Sequence, residues 1–148
     1  MDELWEEIDA EKELIENTLA ELANALQRRE RSYVVLAGVA TFVHNLYNSI
    51  ENILKRMLTA KGKSLDTHSS FWHQELLQNA VDEKIISSQL ATTLKSYLGF
   101  RHFFVHAYGV RLDTEQLLPL AINASKVWQD FYAGIEAAFQ ALKHQGRL

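Results

Sequence analysis

Apolar residues recur every three or four positions from Val35 to Met57, at Val35, Val39, Phe42, Leu46, Ile50, Ile53 and Met57. Each residue of an α-helix turns the chain by about 100°, so this spacing holds all seven on one face of one long helix. Such a stripe has to be covered by other elements, and what is available to cover it decides the fold. Ser32 stands just ahead of it, where a serine hydroxyl can accept an unpaired N–H of the first turn.

The covering elements are also helical. Leu4, Ile8, Ile15, Leu19, Leu22 and Leu26 form one apolar face before the central stripe. A short helix is predicted from Phe71 to about Ala80, with Ser69 or Ser70 as its cap and Trp72, Leu76 and Leu77 as its apolar content. Another begins near Ser87 or Ser88 and carries Leu90, Leu94, Tyr97, Arg101, Phe104 and Tyr108 as its stripe, with Gly109 as its stop. The last is capped by Asp113 or Thr114, and its predicted core face holds Leu117, Leu120, Ile122, Val127, Phe131, Ile135, Phe139 and Leu142. A single proline and six glycines leave few interruptions, which disfavours a turn-rich β fold. The expectation is an all-α chain: an up-and-down four-helix bundle with an additional short helix, forming one domain over residues 1–148.

Composition removes several function classes. There is no cysteine, so disulfides and thiolate metal sites are excluded. The first sixteen residues are acidic, unlike a secretory leader, and no apolar run reaches the roughly 18 residues of a membrane span. A cytoplasmic location with no membrane attachment is expected. The net charge of -4 conceals an asymmetry: residues 1–16 hold eight acids against Lys12 alone, and the remainder is mildly basic. A polyanionic partner is therefore compatible with most of the chain.

Two charged or glycine-containing stretches have plain readings. Arg28, Arg29 and Arg31 follow the first helix, where cations suit the dipole, although they could also meet a phosphate backbone. Gly62-Lys63-Ser64 lacks the first glycine and the preceding strand of a phosphate loop, and is read as an ordinary loop.

The chemistry concentrates in Arg101-His102-Phe103-Phe104-Val105-His106-Ala107-Tyr108. Helix phase places Arg101 and Tyr108 on the apolar stripe, and His102 and His106 one turn apart on an adjoining face with Lys95 and Gly99. A guanidinium in an apolar stripe is costly unless it is paired or that part of the stripe meets a ligand or a second subunit. The spacing of His102 and His106 is also that of zinc-binding helices, but Phe103 stands where a zinc peptidase has its glutamate, and no acidic third ligand is near in sequence. A structural histidine pair and metal-free chemistry are the other readings. In the latter, histidine moves a proton and arginine holds a phosphoryl group and opposes the charge that builds on it. RNA brings its own nucleophile, the 2′-hydroxyl, so this kit suffices to cut it, leaving a 2′,3′-cyclic phosphate and a 5′-hydroxyl.

Arg101-x4-His106-x-Tyr108 resembles the R-x4-H-x-Y signature of HEPN-domain ribonucleases, specifically the HepT toxins paired with MNT-type nucleotidyltransferase antitoxins. Glu51-x3-Lys55 is similar to a secondary acidic-basic motif of that family; by itself it is a favourable i, i+4 helix pair. Nearly the whole chain shares in the resemblance. It implies the toxin of a type VII-like toxin–antitoxin pair, a metal-independent endoribonuclease without a cofactor. Arg101 and His106 would be catalytic, from two copies meeting across a homodimer cleft, with His102, Glu51 and Lys55 auxiliary. Tyr108 would be the tyrosine on which the antitoxin places AMP, with a larger hetero-oligomer open to the pair. The family commonly has asparagine or aspartate where this chain has His102. The alternative is a non-catalytic helical subunit that binds substrate for a nucleotidyltransferase.

Overall fold

The computed structural model describes residues 2–106 and 114–146, without the side chains of Asp2, Phe103, Val105 and His106. Five helices follow in order: α1 (Asp2–Gln27), α2 (Tyr33–Ala60), α3 (Trp72–Asp82), α4 (Ser88–His106) and α5 (Thr114–His144). Among the described residues there is no strand, and the fold is all-α as expected. Gly109 and Asp113, expected to stop α4 and cap α5, lie outside the described residues.

The central helix starts where Ser32 predicts it. Ser32 is extended, and its Oγ accepts the Val35 N–H at 3.3 Å. Helix α2 packs against α1, α3, α4 and α5 alike, and buries Val39, Val43, Leu46, Ile50, Ile53, Leu54 and Met57 among them. Helices α1, α2, α4 and α5 make up the long-helix bundle, while α3 lies over the seam between α2 and α4. That short helix is what closes the candidate site from one side.

The other predicted stripes meet the core in most positions. Ile8, Ile15 and Leu22 bury from α1, with Leu4, Leu19 and Leu26 partly covered. On α5 the buried line runs Leu117, Ala121, Ala124, Trp128, Phe131, Ile135, Phe139 and Leu142. Ile122, expected in that line, is 68% exposed. It stands about 100° away from Ala121, and the small residues Ala121 and Ala124 face inward instead. Gly134 marks a close approach, since a Cβ there would sit 3.2 Å from the Ile85 carbonyl oxygen.

Helix ends are settled locally. Arg31 folds back on the end of α1, its guanidinium donating to the carbonyls of Leu26 at 3.2 Å and Arg28 at 3.1 Å. That use takes Arg31 out of consideration as a free phosphate contact and favours the helix-end reading of the cluster. Gly62, at φ +79°, terminates α2 in a conformation that suits glycine. Helix α3 begins at Trp72 rather than Phe71, with Ser69 Oγ accepting the Phe71 N–H at 3.2 Å in the turn before it. Ser87 Oγ accepts the Leu90 N–H at 3.0 Å and opens α4.

Tyr97 ties α4 to α5: its buried hydroxyl donates to the Leu120 carbonyl at 2.7 Å. Tyr97→Phe is expected to cost about 1 kcal/mol, the net value of such a bond, measured by urea unfolding. Burial also pushes the Tyr97 phenol up to about 12, so the unfolded chain gives up this proton first. Stability should therefore fall as pH rises from about 10 toward 12, less steeply in Tyr97→Phe.

Candidate active site

The site grows from two helix faces that meet under α3. On α2, His44, Tyr47, Asn48 and Glu51 follow at the spacing of one helical line, placing polar groups directly beside the apolar stripe. On α4, Leu94 and Tyr97 are buried and Phe104 is partly buried, so Arg101 leaves the same stripe at the edge of the core. Helix α3 adds His73.

Arg101 is held by two of these groups. Its Nε donates to Asn48 Oδ1 at 3.1 Å, and one terminal nitrogen lies 3.4 Å from His73 Nε2. His73 Nδ1 in turn is 2.8 Å from Glu51 Oε2, and Glu51 is only 3% exposed. A guanidinium only donates, so His73 Nε2 must accept and its proton must sit on Nδ1, directed at the carboxylate. The run is therefore carboxylate, neutral imidazole, guanidinium, with opposite charges at its ends. It supplies the partner that an arginine in an apolar stripe requires.

The same logic extends into α2. With Asn48 Oδ1 committed to Arg101, the Asn48 amide nitrogen faces His44 Nε2 at 3.0 Å, which must accept. His44 is thus neutral with its proton on Nδ1, a buried atom without a hydrogen-bond partner among the described residues. Burial first, then the Arg101 charge, lower the His44 pKa below its ordinary 6.5. The unfolded chain therefore takes up this proton more readily than the folded one. The stability that His44 contributes is present above about pH 6.5 and is lost as pH falls below it. His44→Leu is expected to flatten the acid side of a plot of unfolding midpoint against pH; an unchanged slope would remove His44 as its source.

Tyr47 completes the interior of the site. Its buried hydroxyl faces the Glu51 carboxylate closely enough to feel its charge but makes no well-formed hydrogen bond. Burial first, then Glu51, hold its phenolic proton on far above the usual range.

Lys55 has a different place from the one its spacing suggests. Glu51 turns inward to His73, while Lys55 Nζ lies 5.1 Å from the centre of the Trp72 ring. The i, i+4 pair is thereby replaced by a row of Lys55, Trp72 and His73, because Trp72 also lies against His73 with ring centres 3.7 Å apart. His102 is exposed, on the face predicted for it with Lys95 and Gly99. These three line a groove of about 740 Å³ between α3 and α4, with His73 at its inner wall and Phe71 at its rim. The backbone of His106 closes the described part of α4; its side chain and all of Tyr108 lie outside the described residues.

Arg101, Glu51 and His102 are thus placed within one neighbourhood, and Lys55 borders it through Trp72. His73, Asn48, Tyr47 and His44 were not singled out by sequence. For the α2 residues a signal existed, a polar line beside the buried stripe. For His73 none did, because its position depends on how α3 docks. Among the described residues, no group of three or more His, Asp or Glu side chains is gathered as a metal site would need. No described helix is long and apolar enough to cross a membrane.

Chemically, the array presents a guanidinium whose orientation is set from behind, with two of its N–H groups engaged by described residues. Such a group is suited to an oxyanion, above all a phosphate, at the end of α4. A family model described as HepT-like protein matches residues 38–143, which span α2 to α5 and every residue of the array. No curated protein and no solved structure matches the chain.

Proposed function

We infer, from the premise that this chain belongs to the HepT-like family of HEPN toxins, that it is a metal-independent endoribonuclease acting as the toxin of a toxin–antitoxin pair. The observation that carries this reading is the anchored guanidinium of Arg101, held at Nε by Asn48 and at a terminal nitrogen by His73. A phosphate-binding arginine is most effective when its orientation is fixed before the substrate arrives, since no reorganisation is then needed as charge develops.

In this mechanism Arg101 binds the scissile phosphate and opposes the negative charge of the five-coordinate transition state. His106, five residues on along α4, transfers the proton between the 2′-hydroxyl, the phosphate and the departing 5′-oxygen. The chain works as one HEPN-like helical domain, and two copies bring their α4 ends around one RNA strand in a homodimer. Glu51 acts from behind Arg101, His102 faces the groove beside it, and Lys55 supports Trp72 at its edge. Tyr108 accepts AMP from a nucleotidyltransferase antitoxin of the MNT type. The added charge and bulk then occupy the space of the RNA phosphate and silence the toxin.

The test is incubation of the purified protein with RNA in the presence of a chelator, followed by end-group analysis. Cleavage leaving 2′,3′-cyclic phosphate and 5′-hydroxyl ends is the expected result. Ends with a 3′-hydroxyl, or a strict need for added divalent metal, would overturn the mechanism. If His106→Ala leaves function intact while Tyr108→Phe abolishes AMP transfer, the chain is instead a helical subunit presented to the nucleotidyltransferase.

A further inference from the structure

We propose that His73 is a positioning residue that locks Arg101, accepting from its guanidinium at Nε2 while donating to Glu51 from Nδ1. The inference rests on the reading of Arg101 as the phosphate-binding group, but its geometry stands independently.

Three observations converge on it. His73 Nδ1 lies 2.8 Å from a carboxylate oxygen of Glu51, and Glu51 is almost wholly buried. The other ring nitrogen lies 3.4 Å from the guanidinium. The Trp72 ring lies against the imidazole, tilted by 31° with centres 3.7 Å apart, and is backed in turn by the Lys55 ammonium, which limits how far the imidazole can rotate. An imidazole so placed has one arrangement of protons that satisfies both neighbours: Nδ1–H donating to Glu51, and Nε2 accepting from Arg101.

Without the contact at His73 Nε2, Arg101 keeps, among the described residues, the hydrogen bond from Nε to Asn48, about which the guanidinium can swing.

Glutamine at 73 offers both a donor and an acceptor, whereas leucine fills the space and offers neither.

The experiment has two arms on the full-length protein. In the first, nitrogen–proton correlation spectra of the imidazoles are recorded near neutral pH on wild type and His73→Gln, the latter assigning the signal. Protonated Nδ1 with bare Nε2 is expected for His73; protonated Nε2 would overturn the proposal whether or not the protein cuts RNA. In the second, single-turnover cleavage is followed over a range of RNA concentrations. His73→Leu should lower the plateau rate by about ten- to a hundredfold with KM little altered, the scale for a lost supporting contact. His73→Gln should recover most of that rate. Rates that coincide for all three proteins would overturn the proposal. If no protein cleaves RNA, the ribonuclease reading falls, and the spectra alone decide the state of His73.

Discussion

Arg101→Ala is expected to slow RNA cleavage by about 10²–10³-fold, the effect of removing one prearranged donor aimed at a developing oxyanion. The fold should survive the change, because Arg101 sits at the edge of the core and Tyr97 and Phe100 remain buried on either side of the turn before it. Arg101→Lys is the sharper comparison. A lysine keeps the charge, but a single ammonium on a flexible stem cannot span Asn48 and His73 as the planar guanidinium does. It should therefore recover little of the lost rate. His106→Ala should cost about 10²–10⁴-fold, the range for a proton-transfer group. Single-turnover rates with each variant in excess over RNA, together with circular dichroism to confirm the helices, provide the measurement. Arg101→Ala cleaving at the parent rate would sink the assignment.

The second large effect is on stability. His73→Ala removes the hydrogen-bond donor to Glu51 and leaves a carboxylate buried without its partner. Leaving a buried acceptor without its donor costs about 1–3 kcal/mol, and the charge on the carboxylate places this case at the upper end. Adding Glu51→Gln in the same chain should return part of that loss, because a neutral amide needs no counter-charge and the cost belongs to the stranded charge. Urea unfolding at one fixed protomer concentration reads both proteins, which matters if the chain associates with itself. A double variant no more stable than His73→Ala would show that the loss comes from packing around Trp72 instead.

The helical frame was readable because periodicity survives in sequence wherever one face alone is buried. Ile8, Ile15 and Leu22 keep a seven-residue step, and Val39 through Met57 hold one line for five turns. Reading failed at the start of α5, where Leu117, Leu118, Leu120 and Ile122 supply more apolar residues than one face can hold. The phase there is decided by Ala121 and Ala124, whose small size allows close packing but gives no strong signal. Arg101 stood out because a charge inside an apolar stripe demands an explanation. The i, i+4 spacing of Glu51 and Lys55 suggested an exposed pair, since spacing records neighbours on one helix and is blind to α3 arriving over them. His73 could not be found for the same reason: its partners are 22 and 28 residues away in sequence.

Helix α1 has a consequence for how a charged strand reaches the molecule. It lays its acids along one flank, where Glu7 binds Arg56 at 2.6 Å and Glu11 accepts from Asn52 at 3.2 Å. The Glu7–Arg56 pair is exposed enough to add little to stability. The larger effect of these acids is on the field outside the protein: a basic residue of α2 is cancelled, and the surrounding carboxylates repel any polyanion from that side. Lys95, His102 and Arg101 lie away from this flank, around α3 and α4. On the proposed reading, a nucleic acid approaching by diffusion is turned away from the α1 flank, which biases its orientation at first encounter. Such steering weakens as salt rises, so the association rate should carry a steeper ionic-strength dependence than the proposed cleavage step.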